Sequence, residues 1–199
     1  MRFLFSQPVV FAMVMLDFVI VGVGYYRPLL PVFAKDILFV GPAGFGMLSS
    51  APAIGGIVGT FALLLLGDVK NKGVMALWAF LAYAAALGIF AVSTNFWLSL
   101  LLLGILGLAN SLQAVMRQPV FHLLTPDHLR GRAFSVFNMF SQGANSVGAT
   151  EVGFMAALVG TPGSLLFGCA VGTIVTLGCW AFWPGLRQFR SDGTAETNR

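Results

Sequence analysis

Residues 96–132 read FWLSLLLLGILGLANSLQAVMRQPVFHLLTPDHLRGR. The first part, 96–116, holds no charged side chain. At about 1.5 Å per residue it is long enough to cross a ~30 Å hydrocarbon core. Arg117 closes it, and Arg130 and Arg132 follow beside the polar segment Thr125-Pro126-Asp127-His128 before the next apolar run begins. An uncharged span ending in a basic loop is the pattern of a membrane helix whose loop faces the cytoplasm.

The same pattern extends in both directions. Further apolar runs occupy 8–30, 43–66, 73–92, 133–159 and 163–183, so that with 96–116 six spans are expected. The connections then fall alternately on two sides. One side receives Arg2, Lys70, Lys72, Arg117, Arg130, Arg132, Arg187, Arg190 and Arg199; the other receives only Arg27 and Lys35. That asymmetry predicts a multi-pass protein of the plasma (inner) membrane with both termini cytoplasmic. The expected fold is all-α: one six-helix bundle over 1–185, followed by a polar cytoplasmic tail at 186–199.

Composition agrees with this reading. Hydrophobic residues make up 58% and charged residues 9% of the chain, against about 25% charged in soluble proteins. The net charge of +4 lies in short loops beside apolar spans. Membrane orientation accounts for it, and no nucleic-acid partner is implied. The run after Arg2 is too long for a cleavable leader, so none is expected. Cys169 and Cys179 both fall in the last run, ~15 Å apart along a helix and too far for a disulfide. Neither has the spacing of a metal site, and with His122 and His128 as the two histidines no metal or cofactor is expected.

Local features place the helix ends. Tyr25 and Tyr26 suit an aromatic belt at the outer surface, and Pro28 and Pro31 end or kink the first helix. The second run holds Gly55-x-x-x-Gly59, which admits a close neighbour, and an internal Pro52. Ser93-Thr94-Asn95 is a tight outer turn, with Trp97 marking the interface beyond it.

Polar side chains inside membrane helices are costly and therefore informative. In the fifth run Asn138, Gln142, Asn145 and Ala149 recur at steps of four, three and four, with Ser141 nearby. They form one polar stripe, which reads as a face lining a solute path or as interhelical hydrogen bonding. Glu151 lies on the same helix, about 120° from the stripe. Asp17, in the middle of the first run, is a candidate proton carrier because desolvation disfavours its charged form. In the fourth run Asn110, Gln113 and Arg117 share a face, with Arg117 at the cytoplasmic boundary. No nucleophile elbow or phosphate-binding loop is present, so an enzyme is not expected.

Four stretches carry a family resemblance. They are Arg27-Pro28-Leu29-Leu30-Pro31-Val32-Phe33-Ala34-Lys35-Asp36; Gly41-Pro42-Ala43-Gly44-Phe45-Gly46 with Ala51-Pro52-Ala53-Ile54-Gly55; Leu66-Gly67-Asp68-Val69-Lys70-Asn71-Lys72-Gly73; and Pro126-Asp127-His128-Leu129-Arg130-Gly131-Arg132-Ala133-Phe134-Ser135. Together they resemble the carboxy-terminal half of a major facilitator superfamily transporter, most of all the bacterial exporters similar to the enterobactin exporter. The third stretch resembles a degenerate copy of the family's cytoplasmic loop signature, with Leu64 where the motif leads with Gly.

The resemblance implies a 3+3 inverted repeat and a solute site between two six-helix halves. It also implies gate roles for Asp68, Lys70, Lys72, Arg130 and Arg132, whereas Arg117, by its position alone, reads as snorkelling to water or as serving an anionic solute or an inner gate. The expected activity is proton-coupled export of a small organic solute by alternating access. Because Met1 precedes the first span so closely, the chain is expected to be one half, either truncated or completed by a second half or a second copy. A non-transporting membrane scaffold is the alternative.

Overall fold

The computed structural model describes residues 25–66, 72–124 and 130–182. Every element among them is helical, with no strand. Tyr25 and Tyr26 lead into a short run of helical turns, Arg27–Leu29, Leu30–Val32 and Phe33–Ile37, the last of which is wound as a π-helix. Four long helices follow: α1 (Gly41–Leu66), α2 (Lys72–Val92), α3 (Phe96–Leu124) and α4 (Arg130–Phe182). Gly41–Leu65, Phe96–Val115 and Gln142–Gly178 are long and apolar enough to cross a membrane, and Trp78–Val92 is a shorter apolar helix. Of the first expected span, 8–30, residues 8–24 lie outside the described residues.

α1 begins after a left-handed turn at Phe39 (φ 53°) and Gly41 (φ 65°), with Pro42 in the first helical positions, where its missing N–H costs nothing. α1 and α3 run parallel in intimate contact. A Cβ on Gly55 would collide with the Gly104 carbonyl, and one on Gly107 with the Pro52 carbonyl. A Cβ on Gly59 would lie 3.1 Å from the Leu108 carbonyl oxygen. The missing side chains let two backbones approach, which is how membrane helices gain packing energy when lipid is as apolar as leucine.

α3 starts at a tight turn. The Asn95 Oδ1 accepts the N–H groups of Trp97 (3.0 Å) and Leu98 (3.3 Å), capping orphan donors of the first turn. Ser99 Oγ donates to Ser93 Oγ across the same turn at 3.0 Å. α3 is longer than the apolar run that predicts it: the helix continues past Met116 to Leu124.

α4 is two helices joined at Gly160 (φ 79°, ψ 164°), two residues before Pro162. Ser164 Oγ donates to the Val152 carbonyl at 3.3 Å. On a straight helix residues twelve apart stand ~18 Å from each other, so the chain reverses at Gly160. The break falls where the sequence separates 133–159 from 163–183. The second arm packs on α2 in antiparallel sense: Cys169 Sγ donates to the Ala84 carbonyl at 3.1 Å, and Phe80 packs with Val175.

The core gathers near the end that carries both turns, 93–95 and 160–162. Phe33 stacks on Phe90 with ring centroids 4.6 Å apart, surrounded by Leu48, Leu87, Leu103, Val152 and Leu165, all buried. Large apolar side chains also cover the outside, among them Leu64, Leu65, Phe154, Leu158 and Ile174. A soluble bundle could not leave that surface bare, whereas lipid favours it.

Candidate functional site

A cleft of about 700 Å³ opens between α1, α3 and the first arm of α4. α1 supplies Pro52, Ala53, Gly56, Ile57, Thr60 and Phe61, which recur at helical spacing and share one face. α3 supplies Leu106, Gly107, Asn110 and Ser111 by the same logic. Tyr83 comes from α2 and Asn145 from α4, and Tyr25, Tyr26 and Arg27 come from the segment ahead of the short turns. Ala53, Ile57, Thr60, Phe61 and Asn110 are exposed, so the cleft is open along that side.

Two amides sit at matching depth. Asn110 lies ~21 Å along α3 from its start, and Asn145 lies ~22 Å along α4 from Gly160, at the same end of the bundle. Asn145 Nδ2 donates to Gln142 Oε1 at 3.1 Å, which fixes the amide's orientation. Hydroxyls nearby are partly spent on their own helices: Thr60 Oγ1 donates to Gly56 O at 2.9 Å, and Ser146 Oγ to Gln142 O at 3.1 Å. The Arg27 guanidinium lies within hydrogen-bonding reach of the Tyr26 phenol. Ser111 Oγ sits 2.9 Å from the place a Gly56 Cβ would occupy, so this glycine is what lets the hydroxyl stand beside α1.

The residues singled out in the sequence separate into groups. Asn110 and Asn145 meet at the cleft. Gln142 is exposed and reaches the cleft only through its bond to Asn145; Asn138 is exposed and does not line it. Gln113 turns inward, 7% exposed, and its Nε2 has no hydrogen-bond partner. Glu151 is half-buried away from the cleft, with Oε2 likewise unpartnered. Asp17, Asp68 and Lys70 lie outside the described residues. Lys72, Arg117, Arg130 and Arg132 occupy helical positions, and their side chains lie outside the described residues.

Sequence reasoning missed the tyrosines and Arg27. Tyr25 and Tyr26 read as an interface belt, yet both line the cleft and Tyr26 is buried. Arg27 read as an outer loop charge. Tyr83 carried a usable signal, a phenol in an otherwise almost wholly apolar run. Among the described residues no group of three or more histidine, cysteine, aspartate or glutamate side chains is placed to hold a metal.

Apolar, membrane-length helices around a polar cleft define a helical membrane protein with a solute-sized recess. The chain belongs to the Major Facilitator Superfamily, whose sequence profile matches residues 9–199. It is 25% identical over 173 residues to the multidrug efflux pump Tap of Mycolicibacterium fortuitum, covering 83% of this chain and 41% of Tap. It is 22% identical over 158 residues to the enterobactin exporter EntS of Citrobacter koseri and of Escherichia coli O81, covering 79% of this chain and 38% of EntS. The chain thus spans about two-fifths of the length of these relatives. The family is one of membrane transporters and not of enzymes.

Proposed function

We propose that the chain forms one six-helix half of an exporter that moves a small organic solute across the bacterial inner membrane by alternating access. The observation that carries this reading is the cleft: polar groups from α1, α3 and α4 face a recess open on one side, inside a bundle whose outside is apolar. A second six-helix half, encoded in the same longer protein or supplied by another chain, closes the open side. The names of Tap and EntS support export as the direction. The basic loops hold both termini in the cytoplasm.

Proton entry drives the cycle, with Asp17 and Glu151 as the carriers. Glu151 supports this through a carboxylate oxygen that is buried without a hydrogen-bond partner. Asn110 and Asn145 hold the solute, and Gln142 orients Asn145. Gln113 braces α3 beneath Asn110, and Asn138 continues the polar face toward the cytoplasm. Asp68, Lys70, Lys72, Arg117, Arg130 and Arg132 serve the cytoplasmic gate. The test is flux in proteoliposomes holding the complete two-half assembly under an imposed pH gradient. Gradient-driven flux is expected, and Asp17→Asn or Glu151→Gln abolishes it. Flux that ignores the gradient removes proton coupling, and no flux of any solute favours a scaffold.

A further inference from the structure

We infer that the cleft selects solutes carrying an anionic group on an aromatic or broad apolar body, with Arg27 as the residue that reads the charge. This rests on the cleft being the solute site, as proposed above.

Three observations converge. Arg27 is the one charged side chain among the described residues that line the cleft, and it forms no ion pair with any described carboxylate. Its described neighbour there is the Tyr26 phenol, a neutral group. Its planar guanidinium fork suits a carboxylate or similar anion bidentately. Arg27 is itself exposed, so its guanidinium is open to an arriving anion.

The rest of the lining describes the solute's body. Tyr25, Tyr26 and Tyr83 give the lining its aromatic part, and Ile57, Phe61 and Leu106 its apolar wall. Asn110 and Asn145 can each donate or accept one directional bond, which suits hydroxyl or carbonyl substituents. A cleft of about 700 Å³ lies in the range that takes drug-sized molecules. The competing chemistry is a lipophilic cation held by the aromatic lining. Cation–π contact with tyrosine is favourable. A cation entering here would nevertheless meet Arg27 at close range with no described carboxylate in the lining to balance it, so repulsion decides the sign.

The test uses the transporter purified intact from its membrane into phosphatidylcholine nanodiscs, with three probes of one shape: 2-naphthoate, its uncharged amide and 2-naphthylmethylammonium. Calorimetric titration is expected to show naphthoate bound about tenfold or more tighter than the other two. Arg27→Gln should remove that advantage, and an unchanged melting temperature shows that the variant is folded. Arg27→Lys should retain part of it. Equal or tighter binding of the ammonium probe, or naphthoate affinity unmoved by Arg27→Gln, overturns the charge preference and leaves the cleft as a solute site. No binding of any probe overturns the cleft itself. An anionic headgroup has the same chemistry as the proposed solute, so phosphatidylglycerol is added in a further arm. If it abolishes naphthoate binding, Arg27 belongs to lipid and the inference fails.

Discussion

The two flanks of α1 are built from similar small residues and do opposite things. On one, Gly55 and Gly59 vanish into contact with α3, where the backbones touch and nothing can enter. On the other, Ala53, Ile57 and Thr60 stand exposed along the cleft. Gly56 and Pro52 sit on the boundary, each touching α3 and the recess at once. Smallness alone therefore says little about role in a membrane helix. What matters is whether a neighbour's backbone occupies the space the missing side chain leaves.

That contrast can be broken in graded steps. Gly55→Leu should have the largest effect, because the Gly104 carbonyl cannot yield without separating two helices. The expected loss is about 3 kcal/mol, read as a lower melting temperature in nanodiscs together with poor membrane yield. A melt within error of the parent would show that α1 and α3 do not depend on that contact. Asn145→Leu is next. It removes the cleft amide and its bond to Gln142, and should slow solute flux about tenfold, equivalent to about 1.4 kcal/mol in the barrier. Thermal stability should move by only about 0.2–0.5 kcal/mol, the range for a side-chain pair three residues apart on one helix.

Gly56→Ala tests the boundary. The new methyl presses on Ser111 Oγ, which can rotate away, so stability should change by less than about 1 kcal/mol while flux falls about threefold. Adding Ser111→Ala should restore flux if crowding is the cause, and failure to restore it would point to the hydroxyl itself. Thr60→Val should do least. Its hydroxyl proton serves only its own helix at Gly56, so both melting temperature and flux should stay within about twofold or about 0.5 kcal/mol of the parent. A large flux defect there would show that the oxygen's remaining lone pairs hold solute.

Much of the helical layout was legible in the residues. Apolar runs bounded by Lys70, Lys72, Asn95 and Pro162 mark α1, α2, the start of α3 and the meeting of the two arms of α4, since lipid demands unbroken helical hydrogen bonding along each span, while α3 runs on to Leu124. The close approach at Gly55 and Gly59 was legible for the same reason. The cleft was only half so. Periodicity tells which residues share a face of one helix, but not which helix stands opposite. Asn110 and Gln113 are three apart, yet the ~60° between them turns one to the cleft and the other to the interior. Tyr25, Tyr26 and Arg27 have the composition of an interfacial belt, and only the fold places them along the cleft.

The abrupt reversal at Gly160 bears on how the chain enters the membrane. Its connection is spanned by Gly160, Thr161 and Pro162, and the turn at the same end between α2 and α3 is as short. Neither carries a charged side chain. Almost no polar backbone therefore has to be dragged through hydrocarbon during insertion, and each pair of helices can be delivered as a preformed hairpin with its hydrogen bonds already made. An epitope tag placed at Thr161 would add that missing translocation cost to biogenesis, and the yield of inserted protein would measure it.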